Sequence, residues 1–307
     1  MARLSLCLLG GLGARLESGA SLRLPSRKTQ ALLAYLAVRP GQPHSREKIA
    51  ALLWGDTGDV QARNSLRHAL VALRKVLPAK PPVLVVEGQT LAVSPEAVDV
   101  DVITFEQRLS EATAAALEAA ASLYRGDFLD GFVVREAAFE DWLIVERERL
   151  RELALDGLAR LLAHQDQAGL TERAIHTAVR LLALDPLQEP VHRALMRLDG
   201  RQGRRNAALR QYQVCVDVLR RELGAEPETE TKQLYQELLQ LRSSQSKTAE
   251  TAPAPASGRR PARRRRAQAG RPAAEIPLVG TRGRARPTAG RARRRGRGTR
   301  AGRGRPR

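Results

Sequence analysis

Within one short stretch the chain carries Arg63, Asn64, Arg67, His68, Arg74 and Lys75. Arg and Asn pair with base edges in a DNA groove, and Arg and Lys neutralise phosphates. On a wheel of ~100° per residue, Leu66, Leu70, Leu73 and Leu77 fall within ~60° of one another and form a core stripe. The opposite side carries Asn64, Arg67, His68, Val71 and Lys75, with Arg63 and Arg74 on one flank. Between residues 60 and 77 every ionisable side chain is basic. A merely solvated helix mixes signs and gains i,i+4 pairs. The pattern therefore suits a helix lying in the major groove of double-stranded DNA. Asn64, Arg67 and His68 are the expected base-edge contacts; Arg63, Arg74, Lys75 and, more weakly, Arg27 and Lys28 are the expected phosphate contacts. His68 reads equally well as a partly buried neutral imidazole.

The elements that must hold this helix are legible around it. Apolar residues 4–12 follow Arg3, which imitates a short secretory leader. No clean cleavage region follows, and a patterned helix begins soon after, so strands are expected at 4–12, 14–16 and 21–24. Helices are expected over 26–38, with Ser26 as N-cap, over 45–56, starting at Ser45, and over 60–77, stopped by Pro78. Two β-prone runs, 83–87 and 90–94, flank Gly88-Gln89 and read as a hairpin. Strands, three helices and a closing hairpin, with the third helix basic, is the order of a winged helix-turn-helix.

Charge divides the chain. Its net +19 is +7 over residues 1–98, −6 over 99–250 and +18 over 251–307, the last from 19 Arg against the single acid Glu275. The middle is patterned as helix almost throughout and repeats at 34 residues: Leu161, Leu162, Gly169 and Ala174 map onto Leu195, Met196, Gly203 and Ala208. That is the period of the tetratricopeptide (TPR) helix pair, whose stacks make surfaces for protein partners. The fold class expected is mostly α. An N-terminal α+β winged helix-turn-helix (1–98) is followed by an all-α TPR-like helical repeat domain (99–242) and a disordered Arg-rich tail (243–307).

Specific stretches carry a family resemblance. Residues 25–36 (PSRKTQALLAYL) and 45–56 (SREKIAALLWGD) are similar to the first two helices of OmpR/PhoB-type DNA-binding domains, and 62–70 (ARNSLRHAL) resembles their recognition helix. The subtype resembled is that of SARP-like regulators. In these a bacterial transcriptional activator domain comes next, and it resembles residues 124–132 (YRGDFLDGF), 139–143 (FEDWL), 147–161, 184–192 (LDPLQEPVH) and 209–212 (LRQY). Together the resemblances cover about residues 1–242. Residues 276–280 (IPLVG) resemble the start of the ATPase module that follows in longer relatives, yet nothing like a phosphate-binding loop comes after them. Residues 281–307 are thus read either as a basic DNA-binding arm or as a frameshifted remnant in an Arg-rich chain (46 Arg against 6 Lys).

Enzymatic chemistry finds little support. The acidic pairs Asp127/Asp130 and Glu140/Asp141 read as a turn and as helix N-terminal acids, because no nucleophile, His or Gly-rich loop accompanies them. His164, His176 and His192 lack metal-ligand spacing, and Cys7 and Cys215 offer no disulfide framework. Neither a cofactor nor a metal is expected, and no apolar run reaches the ~18 residues of a membrane span. The chain is expected to be a cytoplasmic, sequence-specific DNA-binding transcriptional regulator, an activator. Its helical half would contact RNA polymerase or form a homo-oligomer. The alternatives are a helical-repeat adaptor without specific DNA binding, or a truncated fragment of a larger ATPase- or cyclase-linked regulator.

Overall fold

The computed structural model describes residues 3–250, with side chains through 240. Of the expected disordered tail, 243–307, residues 243–250 are helical, as the end of the last helix (Thr229–Glu250), and those from 251 onward lie outside the described residues.

Strand β1 (Leu4–Cys7) pairs antiparallel with β2 (Gly13–Leu16), Leu4 opposite Leu16, and parallel with β6 (Val98–Val100), Leu4 opposite Val98. The sheet order is β2-β1-β6. The third strand expected at residues 21–24 is reduced to one bridge between Arg15 and Ser21. The free edge of β1 is taken instead by β6, which arrives from beyond the hairpin. The apolar run 4–12 stays extended only to Cys7. Gly10, at φ +97°, then turns the chain beside Gly126, and a Cβ on Gly126 would stand 3.5 Å from the Gly10 Cα.

Helix α1 (Arg27–Ala37) starts at Ser26 in a capping box with Thr29, and α2 (Arg46–Trp54) starts at Ser45, whose Oγ accepts from the Lys48 N–H at 3.0 Å. Each such cap is worth ~1 kcal/mol. Helix α3 (Asp59–Val76) runs to Leu77, and Pro78 prevents its continuation. It begins one residue before the expected start and so includes one acid, Asp59. That residue sits in the first turn, where the helix dipole favours a negative charge. Leu66, Leu70, Leu73 and Leu77 are buried as the core stripe, each worth ~1.5–3 kcal/mol in apolar area removed from water.

The hairpin forms as β4 (Leu84–Glu87) and β5 (Thr90–Val93), with Glu87 opposite Thr90 across Gly88-Gln89. A two-residue strand, β3 (His44–Ser45), adds to the other edge of β5. The wing is therefore tied to the start of α2, and the Arg46 N–H donates to the Gln89 carbonyl at 2.9 Å.

Seven helices follow: α4 (Asp101–Glu111), α5 (Ala114–Leu123), α6 (Ala137–Gln167), α7 (Thr171–Leu184), α8 (Glu189–Arg201), α9 (Arg205–Leu223) and α10 (Thr229–Glu250). The 34-residue register is physical. Gly169 and Gly203 close α6 and α8 at φ +69° and +71°, and Ala174 and Ala208, both 0% exposed, lie in the first turns of the second helix of each pair, α7 and α9. Leu161, Leu162, Leu195 and Met196 are buried on the first helices.

One hydrophobic core runs without interruption from Leu4 to Leu161. Eight of the ten aromatic residues belong to it or pack against it, with Tyr35, Phe128 and Phe139 all around Trp142 at centroid distances of 5.0, 5.9 and 5.2 Å. The Asp101 carboxylate accepts the backbone N–H groups of Leu8 (2.8 Å) and Leu9 (3.1 Å), and the turn at Asp127–Asp130 bonds Leu8 and Gly10. Arg147 holds that turn from α6, donating to the Phe128 and Leu129 carbonyls at 2.8 and 2.6 Å. The winged head and the first helices after it are thus packed as one body.

Candidate nucleic-acid interface

The outer face of α3 presents Arg63, Asn64, Arg67, His68, Val71, Arg74 and Lys75, all exposed. Among the described residues none of its four Arg and Lys side chains forms an ion pair; Arg63 Nε donates to the Asp59 carbonyl at 3.2 Å within the helix. His68 is solvent-facing rather than partly buried. The buried leucine stripe fixes this face outward, because a rotation of α3 would expose Leu66 and Leu73.

Between α3, the start of α2 and the tip of the wing lies a cleft of about 520 Å³ lined by Ser45, Arg46, Glu47, Arg63, Leu66, Arg67 and Gln89. Arg46 and Gln89 were not anticipated as site residues. A signal existed for Arg46, since a cation in the first turn of a capped helix runs against the helix dipole and so invites a reason other than stability. Gln89 carried no such signal; the strand pairing β3-β5-β4 brings the wing tip to α2. Cation, amide and a helix N-terminus around one open cleft are groups whose chemistry suits an anion. Glu47 is the one acid lining it.

Arg27 and Lys28 do not join this surface. They sit on the first turn of α1 and face the segment leading into α6. Arg27 lies over the Phe132 ring at 5.2 Å, Lys28 over the Trp54 ring at 5.5 Å, and Lys28 Nζ pairs with the Glu136 carboxylate. Glu136 is 5% exposed. A buried carboxylate needs a partner, so the Lys28 charge is already engaged within the fold.

The remaining candidate residues are structural. Asp127 accepts from the Tyr124 hydroxyl at 3.0 Å in the turn, and Glu140 stands in the first turn of α6. His164 and His176 are exposed. His192 is buried; its Nδ1 accepts from Gln211 Nε2 at 2.6 Å and its Nε2 lies 2.9 Å from the Pro186 carbonyl. Burial lowers the His192 pKa and pushes the Cys215 thiol up to about 11. Both cysteines are free, no group of three His, Cys, Asp or Glu among the described residues suits a metal, and no helix among them is long and apolar enough to cross a membrane.

Known families match both halves. "Transcriptional regulatory protein, C terminal" matches residues 19–90, and "Bacterial transcriptional activator domain" matches residues 102–239. The chain is 31% identical over 249 residues to the regulatory protein AfsR of Streptomyces coelicolor. The match covers 78% of this chain and 25% of AfsR, so the chain spans about a quarter of that relative's length. The solved structure of Mycobacterium tuberculosis EmbR in complex with a low-affinity phosphopeptide has the same fold. Its TM-score is 0.63 at 21% identity, over 82% of this chain and 70% of that one. The chain carries an OmpR/PhoB-type winged helix joined directly to a bacterial transcriptional activator domain, and in this arrangement it is similar to the SARP-like transcriptional regulators.

Proposed function

We propose that this protein is a sequence-specific DNA-binding transcriptional activator that reads the major groove with α3. The observation that carries the reading is the outer face of α3, where an Asn, a His and four unpaired cations stand exposed without an acid among them. Asn64, Arg67 and His68 reach base edges; Arg63, Arg74 and Lys75, joined by Arg46 and Gln89 at the cleft, hold phosphates. The wing rests beside the backbone or in the minor groove.

The helical half meets a protein, either RNA polymerase or a second copy of the chain. Support comes from the exposed face of α6, where Ile144 and Val145 stand among the exposed acids Glu140, Asp141, Glu148 and Glu152. The −6 charge of residues 99–250 sets this half apart from the DNA. Among the described residues no catalytic constellation supports an enzymatic reading, and cytoplasmic residence follows from the proposed DNA target.

The test uses the full chain, because head and helices share one core. Selection from random duplexes followed by a mobility shift across salt concentrations should yield one preferred site. Its affinity should exceed that for bulk duplex by ~10³-fold or more. Equal affinity for all duplexes, or no binding, overturns the reading in favour of a protein-binding adaptor.

A further inference from the structure

The outer face of α3 contains two residues that its basic character does not explain. Val60 is 70% exposed and Val71 48% exposed. They form one straight stripe with the polar readers, Val60–Asn64–Arg67–Val71, stepping by four, three and four residues along the side opposite the leucine core. Val71 lies on the midline of the face, between Arg67 and Lys75.

Neither folding nor solubility accounts for them. An exposed valine gains nothing from burial, and as a β-branched residue it is a poorer helix former than the Lys, Gln or Arg that a solvated stripe normally carries. What valine does offer is a pair of methyl groups in a single preferred rotamer, ordered before any partner arrives. In a major groove the matching chemical feature is the C5-methyl group of thymine, the one methyl group on any unmodified base-pair edge.

We infer that Val60 and Val71 are specificity-determining residues that read thymine methyl groups on either side of the base contacted by Arg67. The inference rests on the proposed docking of α3 in the major groove. The two side chains are eleven residues apart, ~16 Å along the helix. That is ~5 base-pair rises at ~3.4 Å each. The preferred site therefore holds two thymines four to five steps apart, with a guanine or adenine for Arg67 or Asn64 between them.

The experiment takes the selected duplex and replaces each thymine singly by deoxyuridine, which deletes the methyl group and leaves every hydrogen bond in place. With the full-length wild type, two positions should lose affinity about three- to fivefold, the value of one apolar contact. In Val71→Ala one of these losses should vanish, because the contact is already gone; in Val60→Ala the other should vanish. Val71→Thr, which keeps one methyl group and the branched shape, should restore part of the discrimination. Both positions are exposed, so circular dichroism should show the variants folded as wild type. Losses that persist unchanged in the alanine variants, silence at every thymine, or a selected site without thymine overturns the inference while leaving DNA binding by α3 standing. Failure to select any site instead removes the proposed function, and the inference with it.

Discussion

Trp142 on α6 packs edge-on against Tyr35 on α1, with ring centroids 5.0 Å apart and planes at 69°. One residue belongs to the winged head and the other to the helical half. Phe128 and Phe139 close around the same indole. In a chain with only ten aromatic side chains, four of them meet at this seam. The orientation of α1, and of the head packed with it, relative to α6 is then set by packing rather than by a linker. Trp142→Ala should cost about 3 kcal/mol, the lower part of the range for a large aromatic truncated in a core, since Trp142 is only partly buried. Urea unfolding followed by far-UV dichroism and by Trp fluorescence should give one coincident transition in the wild type, shifted in the variant. Separate transitions for head and helices would refute a shared core.

The Lys28–Glu136 pair makes a second, independent demand on the same seam. Lys28→Met leaves the buried Glu136 carboxylate without its cation and should cost about 2 kcal/mol, reduced from the fully buried case because Lys28 is a third exposed. Lys28→Met with Glu136→Gln should recover most of that loss, a non-additivity that a double-mutant cycle reads directly. The salt dependence of DNA binding should be the same in Lys28→Met and wild type. A slope reduced by about one unit would return Lys28 to the phosphate contacts.

His192 gives the fold a pH dependence of known sign. Its pKa is lowered by burial, so below the ordinary imidazole value of ~6.5 the unfolded chain takes up a proton that the folded chain refuses. The stabilisation is fully present above that pH and is lost as pH falls below ~6.5. His44, lowered by burial and by Lys48, acts in the same direction. The urea midpoint should therefore fall between pH 7.5 and 5.5, and His192→Gln should flatten part of that slope even if it lowers stability at both ends.

Local signals were legible in the sequence; long-range ones were not. Ser26, Ser45 and Pro78 mark helix ends through chemistry that acts within four residues, and the structure places those ends within one residue of expectation. The leucine stripe of α3 and the 34-residue register follow from periodicity alone. By contrast, β6 is three residues long and pairs in parallel with a strand more than ninety positions earlier, so no local pattern announces it. The same holds for Lys28. Its basic neighbours and its place at a helix start point to phosphate, while its partner Glu136 lies 108 residues away. At the interface, Arg67 and Asn64 were readable because their helix face is local, and Gln89 was not, because strand pairing brings it there.

The assignment of roles on α3 separates in a pair of single variants. In the proposed docking Arg67 faces the groove midline, so Arg67→Ala should cost ~1–3 kcal/mol on the selected site and relax discrimination at one base pair, with little change for random duplex. Lys75 stands a little over two turns further along, at the end where, in the proposed docking, the helix would leave the groove. Lys75→Ala should weaken selected and random duplex alike and lower the slope of log affinity against log salt by ~0.9, one counterion-releasing contact. Measuring both duplexes at several salt concentrations separates the two patterns. If the double variant binds as wild type does, the outer face of α3 is not the reading face. If the two patterns are exchanged, α3 lies in the groove in the opposite sense, with its C-terminal half on the bases.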